Sequence, residues 1–382
     1  MKRIIVVFAM AFAVGLISAQ NNDKNVKLSK NDNETSINQV ELNNVDQVNQ
    51  INKRNSYTGF QKGNNNYSRL EQGSASKGEN VAGVNQSGKE NYLNKYDENG
   101  GSIKSSAVQS EGNNLQIKQT GNHNIAGLLQ DFHTTTAIIQ QTGDFNTTEV
   151  TQHDYLDYAE MKLTGDNNYA KVVQTDGLKG QLNKAYGWVK GKNNGYHSKG
   201  NFWLEIIQKG SYNWAQYSIE GNSNDVDISQ TGTYHYAYVG ITGNENDVNI
   251  NQTTSKNERS STIRGDDNTI SITQTGNKNS NCNLLNGDLN VVTVHQTGNC
   301  NTNRNWVGKE SSSCCGSCCG SSGDNDGNTF NVTQSGNCNI NYNYVKFGNH
   351  NTFDIIQSSC GNYSVNTVSG NNNTIIVRQS NI

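Results

Sequence analysis

A single spacing constrains this chain more than any other feature. Gln208, Gln230, Gln252, Gln274 and Gln296 recur at intervals of 22 residues. A fixed period of this size marks a repeat architecture, in which one unit buries its apolar face only against the next. The surroundings recur with the Gln. Gly265 lies nine residues before Gln274, Asn268 six before, Ile270 and Ile272 four and two before, and Gly276 two after. Read down the repeats, the Asn column is Asn224, Asn246, Asn268 and Asn290. Two aliphatic columns run Leu204, Val226, Val248, Ile270, Val292 and Ile206, Ile228, Ile250, Ile272, Val294. Another aliphatic stands eleven residues after each Gln: Ile219, Ile241, Ile263, Leu285, Val307. Alternation with period two is strand spacing, and the Gly and Asn between the runs mark turns. One unit therefore reads strand, turn, strand, turn. The fold class that follows is all-β: a two-sheet β-solenoid of cross-β, amyloid-like character.

Composition agrees with a narrow core partly built from amides. Only 32% of the 382 residues are hydrophobic and the net charge is -3. Disordered chains of low hydrophobicity usually carry high net charge and no period. There are 38 Gly and no Pro, and Pro is the residue that central strands exclude. The small net charge and the lack of a basic stripe argue against a nucleic-acid partner.

Residues 1–19 read as a secretory signal. Lys2 and Arg3 precede the apolar run from Ile4 to Ile17, and Ser18-Ala19 offers small residues for cleavage. That run is too short to span a membrane, so no transmembrane segment is expected in the mature chain. Residues 20–32 read as a flexible leader, and 33–382 as the repeat region. Gln39, Gln61, Gln86, Gln109, Gln130, Gln152, Gln174, the five central Gln, then Gln334, Gln357 and Gln379 count as anchors of about fifteen coils. The interval from Gln174 to Gln208 has about 12 extra residues, placed as a loop within 175–199. Removing the 16 residues 308–323 restores the period between Gln296 and Gln334. The final strand, Thr374 to Gln379, shows no evident capping element.

These residues resemble the curlin repeat, the unit of bacterial curli fibres, which reads Gln-x-Gly-x-x-Asn-x-Ala-x-x-x-Gln. The segments Gln61-Gly63-Asn66-Ser68-Gln72, Gln119-Gly121-Asn124-Ala126-Gln130 and Gln141-Gly143-Asn146-Thr148-Gln152 match it, with Ala, Ser or Thr at the small position. The later units keep Gln-x-Gly-x-x-Asn, as in Gln274-Gly276-Asn279, Gln296-Gly298-Asn301 and Gln334-Gly336-Asn339. Two departures are systematic. The family Ser six residues before the Gln is Asn here (Asn224, Asn246, Asn268, Asn290, Asn328, Asn351, Asn373), and the second Gln becomes aliphatic through the C-terminal half. The resemblance implies a self-assembling extracellular fibre subunit on the surface of a Gram-negative cell, serving biofilm and adhesion. It further implies export through a dedicated outer-membrane pore and a nucleator that starts growth.

The residues carry a physical expectation of their own. Stacked in register, Gln and Asn amides donate and accept along a column. The expected ladders are Gln208, Gln230, Gln252, Gln274, Gln296, Gln334, Gln357 and Gln379, with the seven Asn above. The turn glycines are Gly210, Gly232, Gly276, Gly298 and Gly336. Unpaired backbone at the ends of such a stack is a template for a second copy. The alternative is a monomeric solenoid that binds ice, glycan or a host surface through its outward face, where Thr231, Thr253, Thr275, Thr297 and Ser335 line up. A solvated β-favouring face is the plainer reading of that column.

Cys314, Cys315, Cys318 and Cys319 have spacing that suits zinc or copper, but in an exported chain disulfides are the stronger reading. Cys300 and Cys338 each lie four residues after their Gln, and one rung of separation is within disulfide range. No catalytic motif is present: the seven His are scattered and there is no Gly-x-Ser-x-Gly elbow. Neither an enzyme activity nor a cofactor is expected.

Overall fold

The computed structural model describes residues 22–28, 33–51, 54–72, 80–93, 107–109, 112–130, 134–153, 155–175, 182–195, 204–308 and 325–380. Residues 1–19, read from the sequence as a signal, lie outside the described residues, as do Cys314, Cys315, Cys318 and Cys319. Every described element is a strand, and neighbouring strands of each sheet pair in parallel. The chain divides into two compact units, Met1–Asn167 and Asn168–Ile382.

In the second unit one sheet holds Tyr169–Thr175, Leu204–Ser211, Asp225–Thr233, Asp247–Ser255, Thr269–Asn277, Val291–Thr297, Thr329–Ser335, Thr352–Ser358 and Thr374–Ser380. The facing sheet holds Lys184–Lys190, Trp214–Glu220, Tyr236–Thr242, Glu258–Arg264, Ser280–Asn286, Thr302–Val307, Ile340–Phe347 and Tyr363–Ser369. The chain crosses from one sheet to the other at every turn, so each strand pairs with the strand one full coil away. Ile270 stands on Val292, Ile272 on Val294 and Gln274 on Gln296. Inward positions alternate with outward ones as the pleat requires. The aliphatic columns are dry: Val248, Ile250, Ile270, Ile272 and Val292 have no exposed surface.

The first unit follows the same plan. One sheet contains Asp23–Leu28, Val45–Gln50, Tyr67–Gln72, Ile125–Gln130 and Thr147–Gln152, with one rung shared between Tyr92–Leu93 and Ala107–Gln109. The other contains Glu34–Val40, Ser56–Lys62, Val81–Ser87, Asn114–Thr120, Thr136–Thr142 and Tyr158–Thr164. The span read as a leader thus includes the strand Asp23–Leu28, paired with Val45–Gln50. Within 175–199 the strand Lys184–Lys190 pairs in register with Trp214–Glu220.

Among the described residues one sheet has a single rung more than the other, so the coils fall slightly below fifteen. In this unit both sheets carry Gln at the same strand position. Gln61 donates to Gln86, and Gln86 to Gln119, in one sheet, while Gln50 donates to Gln72 in the other. Counting Gln39, Gln61 and Gln86 together with Gln109 and Gln130 joins two columns into one.

The turns explain the glycines. Most turns among the described residues have two residues at positive φ, and the first is usually Gly. Gly243 (φ 143°) lies beyond the left-handed region open to L residues, and a Cβ there would collide with the Gly265 carbonyl oxygen. In the opposite turn a Cβ at Gly276 would meet the Gly298 carbonyl oxygen as closely, but that column admits other residues. In the column of Gly232 and Gly276, Thr254 and Ser359 relax to φ 85° and 79°. We expect Gly243→Ala to destabilise the second unit by at least ~1–3 kcal/mol, and Gly276→Ala by clearly less. Denaturant midpoints of the two variants check this, and equal midpoints would contradict it.

Candidate functional site

The chemistry concentrated in this molecule is that of its amides. Gln208, Gln230, Gln252, Gln274, Gln296, Gln334, Gln357 and Gln379 form one continuous ladder in the second unit. Each Nε2 donates to the Oε1 of the next Gln at 2.7–2.9 Å. Nε2 has a second proton, and it goes to a backbone carbonyl at the start of the facing strand, as from Gln252 to Tyr236 at 3.2 Å. All but Gln379 are fully buried, and the ladder satisfies their donors and acceptors without water.

Asn224, Asn246, Asn268, Asn290, Asn328, Asn351 and Asn373 form a second ladder at the corner. Here Nδ2 of the later residue donates to Oδ1 of the earlier one at 2.9–3.0 Å. The same Oδ1 also accepts the later backbone N–H, as Asn224 does from Asn246 at 3.1 Å. The Gln and Asn ladders therefore run with opposite polarity along the stack. Gly210, Gly232, Gly276, Gly298 and Gly336 occupy the turn beside the Gln strand, all at positive φ. The carbonyls of Gly210, Gly232, Gly298 and Gly336 accept from the Asn residues of the same corner, as Gly298 does from Asn279 and Gly336 from Asn301, both at 2.9 Å.

Two further ladders escaped the sequence reading. Inside the facing sheet, Asn303 donates to Asn281 and Asn341 to Asn303 at 3.0 and 2.8 Å. In the next inward column Asn305 donates to Asn283, Asn343 to Asn305 and Asn366 to Asn343 at 2.8–2.9 Å. Their signal is a repeated Asn-x-Asn, as in Asn281-Cys282-Asn283 and Asn303-Arg304-Asn305. It becomes visible once the strand positions facing inward are known.

Aromatic rings on the outer face also stack rung on rung. Tyr212 and Tyr234 have centroids 4.7 Å apart, and Trp214 and Tyr236 4.5 Å apart, both pairs nearly coplanar. Cys300 and Cys338 sit at equivalent exposed turn positions, with φ 59° and 58°. Desolvation, and then the neighbouring Cys300 and Cys360, raise the Cys338 thiol above its ordinary value.

Among its described residues the first unit buries two acids, Asp46 and Asp157. Asp46 is fully enclosed and accepts from the Tyr57 hydroxyl at 2.8 Å. Burial pushes its carboxyl up to about 7, against the lowering effect of the Tyr57 and Ser68 hydroxyls. A raised folded value means the neutral acid is the form that folds well. Its stabilisation is complete below the unfolded value of 3.8 and is lost as pH rises towards about 7. We expect the first unit to weaken by a few kcal/mol across that window and Asp46→Asn to remove the dependence. Denaturation followed between pH 4 and 8 checks this; an unchanged slope in the variant would refute it.

No helix among the described residues is long and apolar enough to cross a membrane. No curated protein matches the chain. The curlin associated repeat does match, over residues 204–232 and 221–253, which cover four successive strands of the two facing sheets, most of a fifth, and the Gln208, Gln230 and Gln252 rungs of the ladder. This chain therefore carries curlin associated repeats, built as a parallel two-sheet β-solenoid.

Proposed function

We propose that this protein is a secreted structural subunit that self-assembles end to end into curli-like amyloid fibres of the cell surface and biofilm matrix. The observation that carries the reading is an unmet amide group on each outermost Gln, Gln39 in one sheet and Gln379 in the other. At the first described turn, Gln39 donates to Gln61 at 2.7 Å, but its own Oε1 is buried with no partner. At the last described strand, Gln379 accepts from Gln357 at 2.7 Å and gives one N–H to the Tyr363 carbonyl. Ladder polarity leaves its second N–H for a following rung. A donor at one end and an acceptor at the other suit head-to-tail addition of a second copy. The outermost strands, Asp23–Leu28 and Thr374–Ser380, have exposed or half-buried residues throughout, which fits strand edges that receive another chain.

By the same reading the chain is exported through an outer-membrane pore after removal of its signal, and a nucleator subunit starts growth. Its role is structural and not enzymatic. In the oxidising exterior we propose a Cys300–Cys338 disulfide. Oxidised glutathione would take up the two hydrogens lost as the S–S bond forms. Peptide mapping of treated protein should give that pair as one linked peptide; two separately alkylated thiols would count against it.

Incubation of the mature chain, followed by electron microscopy and fibre diffraction, tests the main reading. Unbranched filaments with a meridional spacing of about 4.7–4.8 Å are expected. A persistently monomeric protein at high concentration would overturn it, and glycan or ice binding through the Thr253–Thr275 face would then be the function to assay.

A further inference from the structure

Among the described residues Arg259 is the largest fully buried side chain, at 1% exposure, and it lies between the two sheets of the second unit. It occupies a column that runs Ala215, Ala237, Arg259, Asn281, Asn303, Asn341. Its Nη2 donates to the Ser261 hydroxyl, which also accepts from Asn283 at 3.2 Å. Nε and Nη1 are buried with no partner.

The neighbouring rung deepens the problem. In the Asn ladder each Nδ2 donates to the preceding rung, and for Asn281 the preceding rung is Arg259. Arg259 offers no acceptor, and the Nδ2 of Asn281 is also buried and unpaired. Three N–H-bearing nitrogens on two adjacent rungs thus lack an acceptor in a dry interior. Among the described residues of this unit, no Asp or Glu is buried to supply a counter-charge, and the one acidic group that acts on the guanidinium is the Cys282 thiol of the next strand. Burial pulls the guanidinium down only to about 9, so it is cationic at neutral pH. An unpaired buried cation is among the least favourable arrangements a core can hold. Water could accept the hydrogen bonds but would leave the charge.

We propose that Arg259 and Asn281 form an internal binding site for a small monovalent anion of the halide class, held by Nε and Nη1 of Arg259 and Nδ2 of Asn281. The anion ends the Asn ladder at the rung where amide gives way to cation. It also makes the fold of the second unit dependent on the anion in its medium. A ligand bound only by the folded state raises stability in proportion to the logarithm of its concentration, once that exceeds Kd.

The probe is chloride. Thermal midpoints of freshly purified monomer are measured in sodium chloride and in sodium gluconate at matched ionic strength, the gluconate ion being too large for the site. The wild-type protein should show a saturable rise, on the order of 5 °C at a hundredfold excess over Kd. Arg259→Met should lose that rise. Asn281→Asp places a carboxylate one rung from the guanidinium, so it should hold the higher midpoint in gluconate and be indifferent to chloride. The proposal is overturned by equal wild-type midpoints in the two salts, by an undiminished chloride increment in Arg259→Met, or by one that persists in Asn281→Asp. If Arg259→Met does not fold, Asn281→Asp decides alone.

Discussion

Replacing Gln252 by Glu is expected to abolish folding and fibre growth at pH 7 and to leave both nearly intact at pH 3.5. Gln252 is fully buried, accepts from Gln230 at 2.9 Å and donates to Gln274 at 2.8 Å and to the Tyr236 carbonyl. A carboxylate keeps the first bond and loses the other two. It also sets a negative charge against the Gln274 oxygen. Two acceptors left bare cost about 1–3 kcal/mol each, and desolvation of the charge adds several more. The total approaches the whole stability of an ordinary domain. The protonated acid differs, because its O–H can donate to Gln274 as the amide did. Burial and the facing oxygen both raise the folded pKa of the new acid above the unfolded value of about 4.3. Its effect is therefore absent below that value, and stability falls as pH rises through the interval up to the folded value. Denaturant melts and elongation rates at the two pH values, each relative to wild type, make the check. A Gln252→Glu chain that grows as well as wild type at pH 7 would show that the ladder contributes little.

The same ladder shows how much the sequence could tell. From Gln208 to Gln379 the period stands out because only one sheet keeps Gln; the other has Ile219, Ile241, Ile263 and Leu285 at the equivalent place. Sheet membership is then readable by eye. In the first unit Gln39, Gln61, Gln119 and Gln141 belong to one sheet and Gln50, Gln72, Gln130 and Gln152 to the other. A period of 22 and a period of 11 look alike there, so coil number could not be fixed. Arg259 was hidden for a different reason. A lone Arg between two strands reads as surface, because burial of an unpaired cation is what physical reasoning rejects first. Only its column, between Ala237 and Asn281, places it inside. Asp46 was missed likewise: it stands eleven residues before Tyr57, but an unpaired acid at an inward position is what physical reasoning rejects first.

The second large effect concerns how one copy meets the next, and it gives opposite signs for two dockings. In the docking that continues the columns, Thr374–Ser380 of one copy stacks on Glu34–Val40 of the next, and Tyr363–Ser369 on Asp23–Leu28. Gln379 then donates to the unpaired oxygen of Gln39, Val377 meets Ile37, and Val368 meets Leu28. In the other docking Thr374–Ser380 stacks on Asp23–Leu28, which sets Gln379 on Leu28 and Val368 on Gln39. Both amides would then lose their partners to aliphatic groups. Gln379→Leu separates the two. In the first docking it leaves the Gln39 oxygen bare, at a cost of about 1–3 kcal/mol per contact, or roughly 5- to 150-fold in dissociation from a growing end. In the second it creates a Leu-on-Leu contact and stabilises the end. We expect the first result. Gln39→Leu alone should weaken the contact similarly, and the double variant should recover much of the loss, because replacing both partners by apolar groups of matched shape removes the unmet acceptor. Critical concentrations of the four proteins close the cycle. Tighter assembly by Gln379→Leu, or strict additivity in the double variant, would rule out the Gln379–Gln39 contact while leaving polymerisation itself intact.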